Sequence, residues 1–208
     1  MIIFDLDGTL WDSGQSVAES WNIETARNGA EYHFKAEDIQ GVMGLTMNEI
    51  ADHLMPDLPE SERYPLIRKC EKYEIEYIYE NGGVLFPGVR ETLAKLLEDG
   101  HKLTIVSNCQ AGYVEAFLHS MKMEEYFCDY EEWGRTHLSK AENIRLVMER
   151  NGEEHAIYVG DIQRDADSAA EAGIACIAAE FGFGHIQDPI ARIYEFGELI
   201  ECLKKIEF

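Results

Sequence analysis

The chain has 208 residues, 46% of them hydrophobic and 28% charged, which suits one well-buried domain of roughly 100–150 residues plus a smaller insert. Its 18 basic against 40 acidic residues leave a net charge of −22, which repels nucleic acid and anionic membrane surfaces and excludes polyanions as expected partners. No run approaches the roughly 18 apolar residues of a membrane span, and Met1–Asp5 lacks the basic start of a secretory leader, so a cytoplasmic location without membrane contact is expected.

In chain order, residues 1–6 (MIIFDL) read as a first strand, because an apolar, β-branched run ends there on carboxylates and a glycine. Residues 14–82 then break the pattern: they read as several helices with no strand between them, and the simplest account is an inserted all-helical domain. Its last helix, about 61–80, carries Leu66, Ile67, Cys70, Tyr73, Tyr77 and Ile78 at helical spacing and stops at Asn81-Gly82-Gly83. From residue 83 strand and helix alternate. Strands are expected at 102–107, 126–131, 156–160 and 174–179, and helices at 88–99, 110–122, 139–151 and 164–172, with Gly100, Gly152 and Gly173 just past three of the helices. The expected architecture is an α/β, Rossmann-like open parallel sheet with helices on both faces. It comprises residues 1–13 and 83–208, with a helical cap at 14–82. Short linkers near Asp12–Gln15 and Asn81–Phe86 join the two and are candidate hinges.

Two strand ends concentrate acid. Alternation along a strand puts Asp5 and Asp7 on one side, and Gly8 permits the sharp exit beyond them. Ligands of open parallel sheets bind past the carboxyl ends of the strands, so this pair sits where a hard cation and a phosphate would lie. Taken alone, Asp-x-Asp-Gly reads equally well as a solvated turn. The run Gly160-Asp161-Ile162-Gln163-Arg164-Asp165 repeats the arrangement at a second strand end, with Asp161 at the tip and Asp165 in the first helical turn. In isolation Asp161 is as well explained as a helix cap. Ser107-Asn108 ends a third strand with a hydroxyl and an amide. Ser139-Lys140-Ala141-Glu142 has the spacing of a capping box, which starts a helix at Ser139 and sets Lys140 in its first turn. A lysine there opposes the helix dipole, so an anionic ligand or carboxylate partner accounts for it better than solvent, although an exposed lysine is the commoner case in general. With a net charge of −22, a phosphate enzyme must neutralise its ligand locally, with a cation and a few lysines.

The four motifs Asp5-Leu6-Asp7-Gly8-Thr9-Leu10 with Asp12-Ser13, Ser107-Asn108, Lys140, and Gly160-Asp161 with Asp165 resemble, in order and spacing, those of the haloacid dehalogenase-like superfamily. The branch resembled has a helical cap after the first strand, as in phosphoglycolate phosphatase and β-phosphoglucomutase. The resemblance implies a magnesium-dependent phosphatase acting on a small phosphorylated metabolite. In it Asp5 is the nucleophile that forms an aspartyl-phosphate, and Asp7 is the acid and base. It further implies Mg2+ held by Asp5, Asp7 (through its carbonyl) and Asp161, with phosphoryl oxygens bound by Thr9, Ser107, Asn108 and Lys140. Asp165 would orient Lys140 and the metal shell. The acid at position 7 disfavours the carbon-attacking dehalogenases. One departure is Ala141, where a proline is frequent after the lysine.

Gly41–Asn48 resembles the cap loop that faces the active site and contains no basic residue, which favours a monophosphate hydrolase over a sugar phosphomutase. Arg27, Lys35, Arg63, Arg68, Lys69 and Lys72 elsewhere in the insert read as solvated helix charges. A binding module without catalysis is the reading from another class, and the complete motif set weighs against it. Phe181-Gly182-Phe183-Gly184-His185 is equally a loop near the site or a packing turn. The five cysteines include no C-x-x-C pair and the seven histidines no metal-binding spacing, so neither a disulfide framework nor a zinc site is expected. The protein is expected to be a monomer or homodimer.

Overall fold

The computed structural model describes residues 1–206. Its main sheet has six strands: β1 (Ile2–Phe4), β4 (Leu103–Ser107), β5 (Asp129–Glu132), β6 (Ile157–Gly160), β7 (Ala175–Ala179) and β8 (Ala191–Ile193). They are ordered β5-β4-β1-β6-β7-β8 and every neighbouring pair is parallel. The register, with Phe4 between Ile105 and Val159, places β1 at the centre. The chain order reverses at β1, where β4 lies on one side and β6 on the other, and this is where open sheets form a crevice.

Alternation along the strands divides the core. Ile2, Phe4, Ile105 and Val159 face one side, where α5 (Val89–Glu98), α6 (Tyr113–Met121) and α10 (Leu199–Leu203) bury Leu93, Phe117 and Leu199 against them. Ile3, Val106 and Tyr158 face the other, beneath α8 (Lys140–Arg150) and α9 (Gln163–Ala172), which contribute Ile144, Val147 and Ala169. Both faces are therefore covered, as an all-parallel sheet requires.

Between β1 and β4 lie α1 (Gly14–Arg27), α2 (Ala36–Gln40), α3 (Met47–Leu54) and the 22-residue α4 (Glu60–Asn81). The segments entering and leaving this helical insert are β2 (Trp11–Asp12) and β3 (Val84–Leu85), which pair antiparallel. The linkers expected near Asp12–Gln15 and Asn81–Phe86 thus include a short paired ribbon. Trp11 is fully buried against Phe117, with ring centroids 4.9 Å apart, so the ribbon is tied to the sheet domain.

Three further differences have local causes. The first strand stops at Phe4 because the Leu6 carbonyl accepts the N–H groups of Thr9, Leu10 and Trp11 in a turn. The strand expected at 126–131 begins at 129, since Glu124–Tyr126 forms a 3-10 turn and β5 starts only where Asp129 pairs with Thr104. The edge strand β8 is short and carries no apolar run, so nothing in its composition announced it. The helix opening at Ser139 forms as expected: Ser139 Oγ accepts from the Glu142 N–H at 3.2 Å, and Glu142 returns the bond to the Ser139 N–H at 2.8 Å. Among the described residues, no helix is long and apolar enough to cross a membrane.

Candidate active site

Asp5 follows the last residue of β1, and β6 delivers Asp161 directly beside it. Lys140, held at the first position of α8 by its capping box, projects between Asp5 and Asp165. Its ammonium donates to Asp5 Oδ1 at 2.8 Å and Asp165 Oδ1 at 2.6 Å. The carboxylate partner expected for a first-turn lysine is thus a pair of aspartates. Asp165, rather than Asp161, does the capping: its Oδ2 accepts the N–H groups of Asp161 (3.1 Å) and Ile162 (3.2 Å). Asp161 is left with its carboxylate turned to the centre, where Oδ2 accepts from Phe183 N at 2.8 Å and Oδ1 from Thr9 Oγ1 at 3.3 Å.

Oxygen atoms of Asp5, Asp161 and Asp165 lie within 4.8 Å of one another, all buried. Three carboxylates face a single ammonium there, and their acidities reflect it. Burial, then the Asp165 charge, pushes Asp5 well above the ordinary carboxylate range although Lys140 pulls the other way. Asp161 is raised to about 7, again by burial first and Asp165 second. For Lys140, burial alone would lower the ammonium, but Asp165 and Asp5 outweigh it and hold it well above its usual value. An under-compensated all-oxygen cluster of this kind fits a hard divalent cation.

Small residues make the convergence possible. A Cβ on Gly160 would lie 2.6 Å from Asp165 Cβ, and one on Gly182 or Gly8 would overlap Asp161. Gly8 also has φ +82°, which only glycine adopts without strain. The Phe181–Gly184 loop is therefore part of the site's wall. Phe181 is anchored between Phe86 (5.1 Å) and Phe196 (6.2 Å), and this brings Gly182 and the Phe183 N–H onto Asp161.

The Asp7 carboxylate lies outside the three-aspartate cluster. Its Oδ1 accepts from Ser13 Oγ at 2.6 Å and Tyr113 OH at 3.0 Å, and these two hydroxyls are 2.8 Å apart. Burial raises Asp7 to about 6, with the two donors pulling downward. Tyr113 is itself fixed from below. Glu132, at the end of β5, accepts the N–H groups of Gly112 (2.6 Å) and Val114 (3.1 Å), clamping the start of α6.

Asp5, Asp7, Ser107, Asn108, Lys140 and Asp161 all line one cavity of about 200 Å3 between the sheet and the insert. Thr9 does not line it; its hydroxyl is fully buried and spent on Asp161. The insert closes the cavity with Val17, Trp21, Ile39, Val42, Met43 and Leu45, so the 41–48 loop does face the site. None of the six insert cations borders the cavity.

Sequence reasoning gave no site role to several lining residues, among them Tyr113, Gln110, Arg164 and Glu74. Tyr113 and Gln110 lie far from the acidic motifs in sequence and carried no signal. Arg164, on α9, donates to the Gly44 carbonyl of the cap loop. Glu74, in the middle of α4, accepts from Trp21 Nε1 at 2.5 Å and Gln110 Nε2 at 2.8 Å. It lies four residues from both Cys70 and Ile78, so an acid on the apolar stripe of a helix was the available clue.

Residues 2–179 match the family model of haloacid dehalogenase-like hydrolases. A phosphoglycolate phosphatase of Pseudomonas syringae pv. tomato is 30% identical over 92% of this chain and 73% of its own length. A 5'-nucleotidase of Pseudomonas aeruginosa is 26% identical over 88% of this chain and 83% of its own. Among solved structures, a predicted phosphoglycolate phosphatase from Haemophilus somnus superimposes with a TM-score of 0.84 at 22% identity, covering 98% of this chain and 97% of that one.

Proposed function

The chain belongs to the haloacid dehalogenase-like hydrolases, and from that premise we propose that it is a phosphatase that hydrolyses a small phosphomonoester through a phosphoryl group carried on Asp5. The observation that carries the reading is the buried cluster of Asp5, Asp161 and Asp165 around Lys140, opening into the same cavity as a separately held Asp7.

Asp5 and Asp161, with the Asp7 carbonyl, would hold Mg2+, which supplies positive charge against the phosphoryl oxygens and the attacking carboxylate. Lys140 adds a second positive charge, and Ser107 and Asn108 add a hydroxyl and an amide on the cavity wall. In the first half-reaction an Asp5 carboxylate oxygen bonds to phosphorus as the ester P–O bond breaks, and Asp7 passes its proton to the departing alkoxide. In the second, Asp7 takes a proton from water, the water oxygen bonds to phosphorus, and the bond to Asp5 breaks with release of phosphate.

The environment of Asp7 suits both duties. An acidity near 6 leaves the group able to give a proton and take one back around neutral pH, and Ser13 and Tyr113 fix its direction. Asp165, whose oxygens are occupied by Lys140 and two backbone N–H groups, is a positioning residue. Thr9 orients Asp161 in the same way. A mutase would need a cation on the cap side for a second phosphate, and the insert presents none to the cavity.

Phosphate release from an aryl phosphate, measured with and without Mg2+, tests the reading. Magnesium-dependent turnover supports it, and an inactive protein across a broad ester panel contradicts it.

A further inference from the structure

The cap-side end of the cavity has a chemistry of its own. Glu74 is only 4% exposed, yet it borders the cavity, and its two partners are both neutral N–H donors: one from the insert (Trp21) and one from the sheet domain (Gln110). Each carboxylate oxygen accepts one hydrogen bond and retains further accepting capacity. Glu71, one turn earlier on the same helix, borders the cavity as well. The surrounding wall is aliphatic and aromatic, with Val17, Ile39, Met43 and Ile50 suited to covering a carbon skeleton.

Two cations border the cavity among the described residues. Lys140 is committed to Asp5 and Asp165, and Arg164 is bound to the cap loop at Gly44. A second acidic group on a substrate would meet Glu74, whose partners carry no charge, and Glu71, whose ion-pair partner Arg68 (2.9 Å) does not border the cavity, whereas a hydrogen-bond donor would find a fixed acceptor in Glu74.

We propose that Glu74 is the specificity-determining residue of a leaving-group subsite that takes phosphomonoesters whose alcohol portion bears hydroxyl or amino donors and discriminates against those bearing a second acid. This rests on the phosphatase reading and goes beyond it, since it separates this chain's preference from the carboxylate-bearing substrate that the relatives' name implies.

The test is a matched set of esters differing in one terminal group: hydroxyethyl phosphate, aminoethyl phosphate and phosphoglycolate. Each is assayed on the full chain with Mg2+ at pH 9, above the value near 8 to which burial raises Glu74, so that the carboxylate is ionised, beside an aryl phosphate. The expected result is a kcat/KM for the hydroxyl or amino ester at least tenfold above that for phosphoglycolate. A lead for the amino ester points to charge pairing with Glu74, and a lead for the hydroxyl ester to hydrogen bonding alone. Glu74→Gln is expected to shrink the ratio tenfold or more, while Glu76→Gln, on the exposed side of α4, keeps it.

Phosphoglycolate as the best of the three would overturn the proposal without any variant, and loss of that preference in Arg164→Gln would assign the selectivity to Arg164 instead. Equal losses on all three esters in Glu74→Gln would also overturn it, because a mere tie between insert and sheet domain predicts no change in ratio. Absence of turnover on every ester, the aryl phosphate included, would instead sink the phosphatase reading on which the proposal stands.

Discussion

Lys140 offers the most searching test of the site's electrostatics, because three buried aspartates depend on its one positive charge. In Lys140→Met the aliphatic stem is retained and the ammonium lost, so the change is electrostatic and creates little cavity. Removing one partner of a buried ion pair costs about 3–5 kcal/mol, and for a chain of this size each kcal/mol lowers the melting temperature by about 2–4 °C. The variant should therefore melt on the order of 10 °C below the parent at pH 8 in a chelator.

The sign of the pH dependence follows from the acidities. Asp5 and Asp161 already lie above their unfolded values, and losing Lys140 raises them further, so the penalty falls on their ionised forms. The deficit grows as pH rises through the parent's folded value for Asp161, near 7, is complete only above the higher values the variant gives these groups, and shrinks as pH falls toward the ordinary carboxylate range. Thermal unfolding of both proteins from pH 5 to 8, with chelator and with Mg2+, reads this directly. If Mg2+ binds the cluster, it should recover part of the loss, by about 2.7 kcal/mol at a hundredfold excess over its Kd. A variant within about 1 kcal/mol of the parent at pH 8 in chelator, or a gap that widens on acidification, would refute the reasoning.

Three other outcomes are expected. Tyr113→Phe removes a 3.0 Å donor from Asp7, favouring its neutral form. The limb of the pH–rate profile set by Asp7 should shift upward from about 6, by roughly one unit for a bond to a charged group. Gly182→Ala drives a methyl group into Asp161 and should weaken Mg2+ binding about 10- to 100-fold, measurable by titrating activity against the metal. Glu74 is raised to about 8 by burial, against the pull of Gln110 and Trp21, so the folded state disfavours its anion. Stability should accordingly fall as pH rises from the unfolded value near 4.5 to about 8, and Glu74→Gln should flatten that slope in urea unfolding.

How much of this was legible in the sequence depended on range. The strands β4, β6 and β7 lie within a residue or so of their expected positions, because each is an apolar run bounded by polar or glycine residues. The capping box at Ser139 located Lys140, since both of its bonds close within four residues. Features made by distant partners were illegible. The bond from Tyr113 to Asp7 spans 106 residues and that from Thr9 to Asp161 spans 152, and neither leaves a local pattern. The separation of Asp7 from the three-aspartate cluster was hidden for a related reason. Strand alternation implies that Asp5 and Asp7 point the same way, but the turn around the Leu6 carbonyl ends the strand before alternation reaches Asp7.

The central claim is that phosphate passes through Asp5. Rapid acid quench of the enzyme turning over an aryl phosphate, followed by mass analysis of its peptides, should find a base-labile phosphoryl group on the peptide containing Asp5. The group should vanish, with turnover falling by several orders of magnitude, in Asp5→Asn. Steady turnover with no phosphoryl group on that peptide, or full activity in Asp5→Asn, would contradict the account.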